Sequence, residues 1–110
     1  MSKERSYSIS STAYADSIVI PNPVTLLGFT VYNSGGAQFI QLHDTAAEPA
    51  NGAVPTIPLP VGAAGIMGAF YGSEGRYFKN GLVICNSSTA PTKTSGAADC
   101  WFDIQVREGK

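Results

Sequence analysis

The sequence predicts an all-β protein: a single jelly-roll-like β-sandwich of about eight short antiparallel strands with an extended N-terminal arm. Three observations carry this. Residues 100–107 (CWFDIQVR) alternate without interruption, with Cys100, Phe102, Ile104 and Val106 on one face and Trp101, Asp103, Gln105 and Arg107 on the other. That period of two marks a half-buried strand. Similar apolar runs of strand length recur along the chain, separated by Gly, Pro, Asn and Ser clusters. No window keeps i, i+3, i+4, i+7 apolar spacing over three turns, so no amphipathic helix is expected.

The elements follow in order. Residues 1–15 are polar and rich in Ser, Ala and Tyr, and are expected to form the extended arm, with Tyr7, Ile9 and Tyr14 as its anchors. The sandwich proper is assigned to residues 16–110. DSIVI (16–20) is a short strand closed by Pro21-Asn22-Pro23, because proline fixes φ and restricts the residue before it. VTLLGFTVYN (24–33) is the longest β-type run. The NSGG turn that follows tolerates φ > 0, and AQFIQLHD (37–44) returns, so 24–44 is predicted as a hairpin. In the return strand Ile40 and Leu42 share one face, and Phe39, Gln41 and His43 the other.

Turn signals at Glu48-Pro49 and Asn51-Gly52 make 45–53 a loop. VPTIPLPV (54–61) interleaves proline with aliphatic residues and is expected at an edge, since proline cannot donate to a central ladder. AGIMGAFY (64–71) is a further strand thinned by Gly65 and Gly68. RYFKN (76–80) is expected to run into GLVICN as one strand kinked at Gly81. The runs 81–88 and 100–106 are read as a pair joined by a Ser/Thr/Pro/Gly loop. If they form a hairpin, Cys85 and Cys100 lie near one another, either bridged or, as expected in a cytosol, as reduced buried thiols.

Composition excludes several function classes. With 110 residues the chain is of single-domain length, and 44% apolar content argues against disorder. Charged residues are 14%, against ~25% in typical soluble proteins. Much of the surface is therefore expected to face something other than water. Seven basic and eight acidic residues give a net charge of −1 and no basic stripe, so nucleic-acid binding is not expected. The charges gather at the ends, as Lys3, Glu4 and Arg5, then Arg107, Glu108 and Lys110. No apolar h-region follows the N-terminal charges, and no run approaches the ~20 apolar residues of a membrane helix.

No constellation announces chemistry. His43 is the one histidine, read as a surface residue near a strand end, and no GxSxG elbow accompanies it. Asp99 and Asp103 share a strand face, a thin basis for a carboxylate pair. Two cysteines without CxxC or HxxxH spacing make no zinc site, and no calcium or phosphate loop is present. No catalytic, cofactor or metal residue is assigned, and the protein is not expected to be an enzyme. The aromatics Trp101, Tyr71, Tyr77 and Phe39 would suit a sugar-binding face. The plainer reading is that a loop, the arm or a neighbouring subunit covers Trp101. Asn86-Ser87-Ser88 is a formal glycosylation sequon, read as turn chemistry.

The stretches LLGFTVYNSGGAQFIQLHDTAAEPANGAVPTIPLPVGAAG, GRYFKNGLVICNSST and DCWFDIQVREG together resemble short virion proteins of tailed bacteriophages and related prophages. The resemblance spans 24–109 and includes no catalytic residue. It implies a structural component of a bacteriophage particle: a capsid decoration (cement) protein, or a head, neck or tail accessory subunit. The partners it implies are the major capsid protein or other virion subunits. A homotrimer is implied by analogy, assembled in the host bacterial cytoplasm and located in the virion. The partner contacts expected are Tyr7, Ile9, Tyr14 and Trp101. The alternative is a carbohydrate- or receptor-binding module of a phage head or tail fibre, using Trp101 with Tyr71 or Tyr77.

Overall fold

A computed structural model describes residues 5–108. Lys3, Glu4 and Lys110 of the terminal charge clusters lie outside them, as do residues 1–4 of the expected arm. Among the described residues there is no helix, and nine strands form two antiparallel sheets. The strands are β1 (Ser6–Ser10), β2 (Ser17–Ile20), β3 (Val24–Asn33), β4 (Gln38–His43), β5 (Ile57–Val61), β6 (Ile66–Phe70), β7 (Arg76–Phe78), β8 (Leu82–Ser87) and β9 (Cys100–Glu108). The first sheet has the order β1-β9-β3-β6, with β7 continuing beside β3 below β6; the second has the order β2-β8-β4-β5.

The pairs are nested. β4 pairs β5, β3 pairs β6, β2 pairs β8 and β1 pairs β9. Successive strands from β1 to β4 therefore alternate between sheets, and so do β5 and β6, then β8 and β9.

Alternation decides what faces inward. Leu26, Val31, Phe102 and Ile104 of the first sheet and Leu42 and Ile84 of the second are all fully buried in one core cluster. Each is worth roughly 1.5–3 kcal/mol relative to an exposed side chain. The face assigned to Cys100, Phe102, Ile104 and Val106 is the core face, as the alternation predicts. β5 lies at an edge, where Pro58 and Pro60 are tolerated.

The connections differ from the sequence reading in four places. The predicted hairpin over 24–44 is not one: β3 and β4 belong to different sheets. The NSGG segment turns the chain from one sheet to the other. Asn33 Nδ2 anchors the corner by donating to Gly36 O at 2.8 Å and Gly62 O at 2.9 Å. β8 and β9 are likewise in opposite sheets. Cys85 and Cys100 therefore do not face each other across a ladder, and both are buried free thiols. Residues 76–87 are two strands rather than one kinked strand. β7 pairs β3, Gly81 adopts φ +139, and β8 enters the second sheet. Finally, the stretch expected as an extended arm supplies β1, which pairs with β9 of its own chain, Ser6 opposite Arg107 and Ser10 opposite Asp103.

Candidate binding face

The two sheets treat their outer faces differently. On the second sheet, Gln41, His43, Val83, Cys85 and Ser87 point away from the core and are nevertheless buried. The loops 44–56 and 88–99 cover them. Gln41 Nε2 lies 2.9–3.1 Å from the carbonyl oxygens of Thr89, Ala90 and Thr92. Lys93 Nζ meets Glu48 Oε2 at 3.3 Å and donates to Ser95 Oγ at 3.1 Å. Backbone bonds between Gly52 and Lys93 and between Lys93 and Ala53 tie the loops together.

His43 is thus not a surface residue. It is 4% exposed, and its Nε2 lies 3.0 Å from Gln41 Oε1. Burial, aided by the Lys93 charge, holds its pKa below the usual 6.5. Its ring partner is an amide, so the orienting carboxylate of a catalytic triad is missing from that contact. Burial also pushes the Cys85 thiol up to about 11. Cys100 is raised to about 12 by burial first and then by its hydrogen bond to the Asp99 carboxylate. Both thiols are inert at neutral pH. Among the described residues no group of three or more His, Cys, Asp or Glu side chains is placed to hold a metal ion. Asn86 of the formal sequon is buried, with its amide donating to Ala97 O at 2.6 Å.

The first sheet leaves most of its outer face open, with Thr25 buried at one end. The register sets Tyr32 beside Trp101, Thr30 beside Asp103 and Gly28 beside Gln105. Tyr14, in the connection between β1 and β2, stands edge-on to Trp101, with ring centroids 5.4 Å apart at 90°, and lies 6.4 Å from the Tyr32 ring. The T-shaped contact is a favoured aromatic geometry. Tyr14, Tyr32 and Trp101 remain 49%, 38% and 40% exposed. Next to them lies a shallow furrow of about 310 Å³, bordered by Thr30, Asp103, Gln105 and Phe70 over Gly28 and Gly68. Gly68 cannot be replaced without movement, because a Cβ there would sit 2.5 Å from the Phe29 carbonyl oxygen.

Of the four expected contact residues, the structure joins Tyr14 to Trp101 and separates the other two. Tyr7 and Ile9 pair with Val106 and Ile104 and so share the inward face; Ile9 packs on the core. The expected sugar-binding set is also dispersed. Tyr71 packs against the core, and Phe39 belongs to the second sheet. Tyr77 pairs with Thr25, opposite Arg107, six residues along β9 from Trp101, or about 20 Å at ~3.3 Å per residue. Tyr32 completes the cluster and was missed. Its signal was its parity with Thr30, but only the pairing of β3 with β9 places it beside Trp101.

Set against known protein families, curated proteins and solved structures, the chain matches none of them.

Proposed function

We propose that this chain is a jelly-roll β-sandwich acting as a structural component of a bacteriophage particle, a capsid decoration protein that binds the major capsid protein or another virion subunit. The four nested strand pairs support the jelly-roll reading, being those of one long two-stranded ribbon rolled over itself. The observation that carries the functional reading is the asymmetry of the two outer faces. The chain spends two loops covering the centre of one and leaves Tyr14, Tyr32 and Trp101 exposed on the other. A clustered aromatic patch at a sheet surface suits burial by a neighbouring subunit. An antibody against the chain should label intact purified particles. Trp101→Glu, folded as judged by its unfolding curve, should be lost from them. Particles that lack the chain, or that retain Trp101→Glu at full occupancy, would overturn the reading.

The furrow beside the aromatics favours a second reading, a carbohydrate- or receptor-binding module. Aromatic rings would stack on a sugar while Asp103, Gln105 and Thr30 bind its hydroxyls. This reading requires a glycan-array signal that Trp101→Ala abolishes.

A further inference from the structure

The edges of the two sheets are not equivalent. β5 carries Pro58 and Pro60, which have no N–H for an added strand. β2 has four residues and stops at Pro21, and its Ser17 hydroxyl is committed to Glu48 at 2.7 Å. β1 presents Ser6, Ser8 and Ser10 alongside its outward backbone groups. β6 has none of these features. Its sequence, IMGAF, has no charge and no proline, and among the described residues it pairs with β3 alone.

The direction of its free backbone groups follows from its bonds at either end. Asn33 N donates to Gly65 O, and Tyr71 N donates to Leu27 O, both at 2.8 Å. In an antiparallel ladder the bonding residues alternate. Residues 65, 67, 69 and 71 therefore turn their N–H and C=O toward β3. Ile66, Gly68 and Phe70 turn theirs outward. These same residues put their side chains on the open outer face, where Ile66 is 72% and Phe70 is 79% exposed.

We infer that β6 is a self-pairing edge that joins two copies of this chain across a two-fold axis at Gly68, extending the first sheet from one copy into the next. The strand is self-complementary about that point. Antiparallel pairing centred on Gly68 sets Ile66 opposite Phe70 of a second copy, Gly68 opposite Gly68, and Phe70 opposite Ile66. All three pairs bring outward backbone groups face to face, giving about six hydrogen bonds. The same register covers the exposed Ile66 and Phe70 side chains with one another, as a β-branched residue against an aromatic. An isologous contact of this kind closes at two copies. It takes the place of the three copies that the resemblance implies, and it stands independently of the capsid reading. One five-residue strand from each copy is a small contact beside the ~1,200 Å² of standard stable interfaces, so the pair is expected to be reversible.

Sedimentation equilibrium of the purified protein from about 10 μM to 1 mM should show the mass rising from 11.5 kDa toward twice that value. Ile66→Lys and Phe70→Lys, both at exposed positions, should each hold it at the monomer mass across that range. Val54→Lys, at a 76% exposed loop position, should behave as the unmodified protein. Register has its own readout. Paired residues in such a ladder lie ~5.5 Å apart at Cα, within disulfide reach. The double variant Ile66→Cys with Phe70→Cys should cross-link between copies on mild oxidation, and Ile66→Cys alone should not. A monomer at every concentration, a trimer, equal loss with Val54→Lys, or efficient cross-linking of Ile66→Cys alone would each overturn the inference.

Discussion

Replacing Gly81 by alanine is expected to be among the most damaging single-methyl changes in this protein. Gly81 sits where the chain leaves β7 in the first sheet and enters β8 in the second. Its φ of +139 is one that L side chains rarely adopt. Holding alanine there costs about 1–3 kcal/mol. Its Cβ would lie 2.7 Å from Ile20 O, 2.8 Å from Thr45 O and 3.0 Å from Ala46 Cα. All three are backbone atoms, so no rotamer change relieves the collision, and overpacking adds roughly another 1–3 kcal/mol. The sum, about 2–6 kcal/mol, is a large part of the ~5–15 kcal/mol that holds a domain of this size together. At roughly 4 °C per kcal/mol the midpoint should fall by about 8–24 °C. Gly52→Ala separates the two contributions. Gly52 has φ +94 but nothing within 4 Å of a Cβ, so it carries the conformational cost alone. Gly36→Ala, with open space and no unusual φ, should be nearly neutral. Urea unfolding of the three variants measures the differences directly. If Gly81→Ala loses no more stability than Gly52→Ala, the close crossing between the sheets is wrong.

Three further outcomes are expected. His43 has its folded pKa below 6.5, so protonation favours the unfolded chain. The His43 contribution should be level above about pH 6.5 and fall below it by at most ~1.4 kcal/mol per pH unit, and His43→Gln should flatten that fall in urea titrations. For the thiols the sign is reversed: raised folded values of about 11 and 12 mean that stability is intact below about pH 9 and declines as unfolded thiols ionise above it. A disulfide reagent at pH 8 should therefore label Cys85 and Cys100 only at the rate of unfolding. Lys93 is 3% exposed, and Glu48→Gln would leave its ammonium without a carboxylate. Because Glu48 is 40% exposed, the loss should be about 1–3 kcal/mol rather than that of a fully buried pair, measurable as a lower urea midpoint.

Most strands were legible, β1 and the break between β7 and β8 excepted, and their partners were not. The period of two in 100–107 identified the core face of β9, and the prolines of 57–61 marked an edge, because both signals reside within a few residues. The turn NSGG announced a reversal, but a reversal is compatible with a hairpin or with a corner between sheets. What selects the corner is remote: β3 is held by β9 on one side and by β6 and β7 on the other, leaving no place for β4. His43 departs from the expected surface position for the same reason. Its position at the end of β4 suggested solvent, and the loops 44–56 and 88–99, tied by Lys93, Glu48 and Gln41, bury it. At the binding face Tyr14 and Trp101 were each visible as unusual aromatics. Their contact depends on where the β1–β2 connection crosses the sheet, and the addition of Tyr32 on the pairing of β3 with β9. Ile66 and Phe70 looked like ordinary members of a strand, since nothing local says that β6 has a neighbour on one side only.

The nesting of the strand pairs also has a consequence for synthesis. The innermost pair, β4 with β5, can close as soon as residues 57–61 have left the ribosome. Each outer pair must wait for a later strand, and β1 has no partner until residues 103–107 emerge. At ~5–20 residues per second, that wait is on the order of 5–20 s. During it, the apolar strand 24–33 is translated and only partly paired, because its β9 neighbour is still missing. A nascent chain of this topology therefore depends on pairing that spreads outward from one loop. Lengthening 44–56 should slow every later pairing, whereas lengthening 34–37 should act on one corner only.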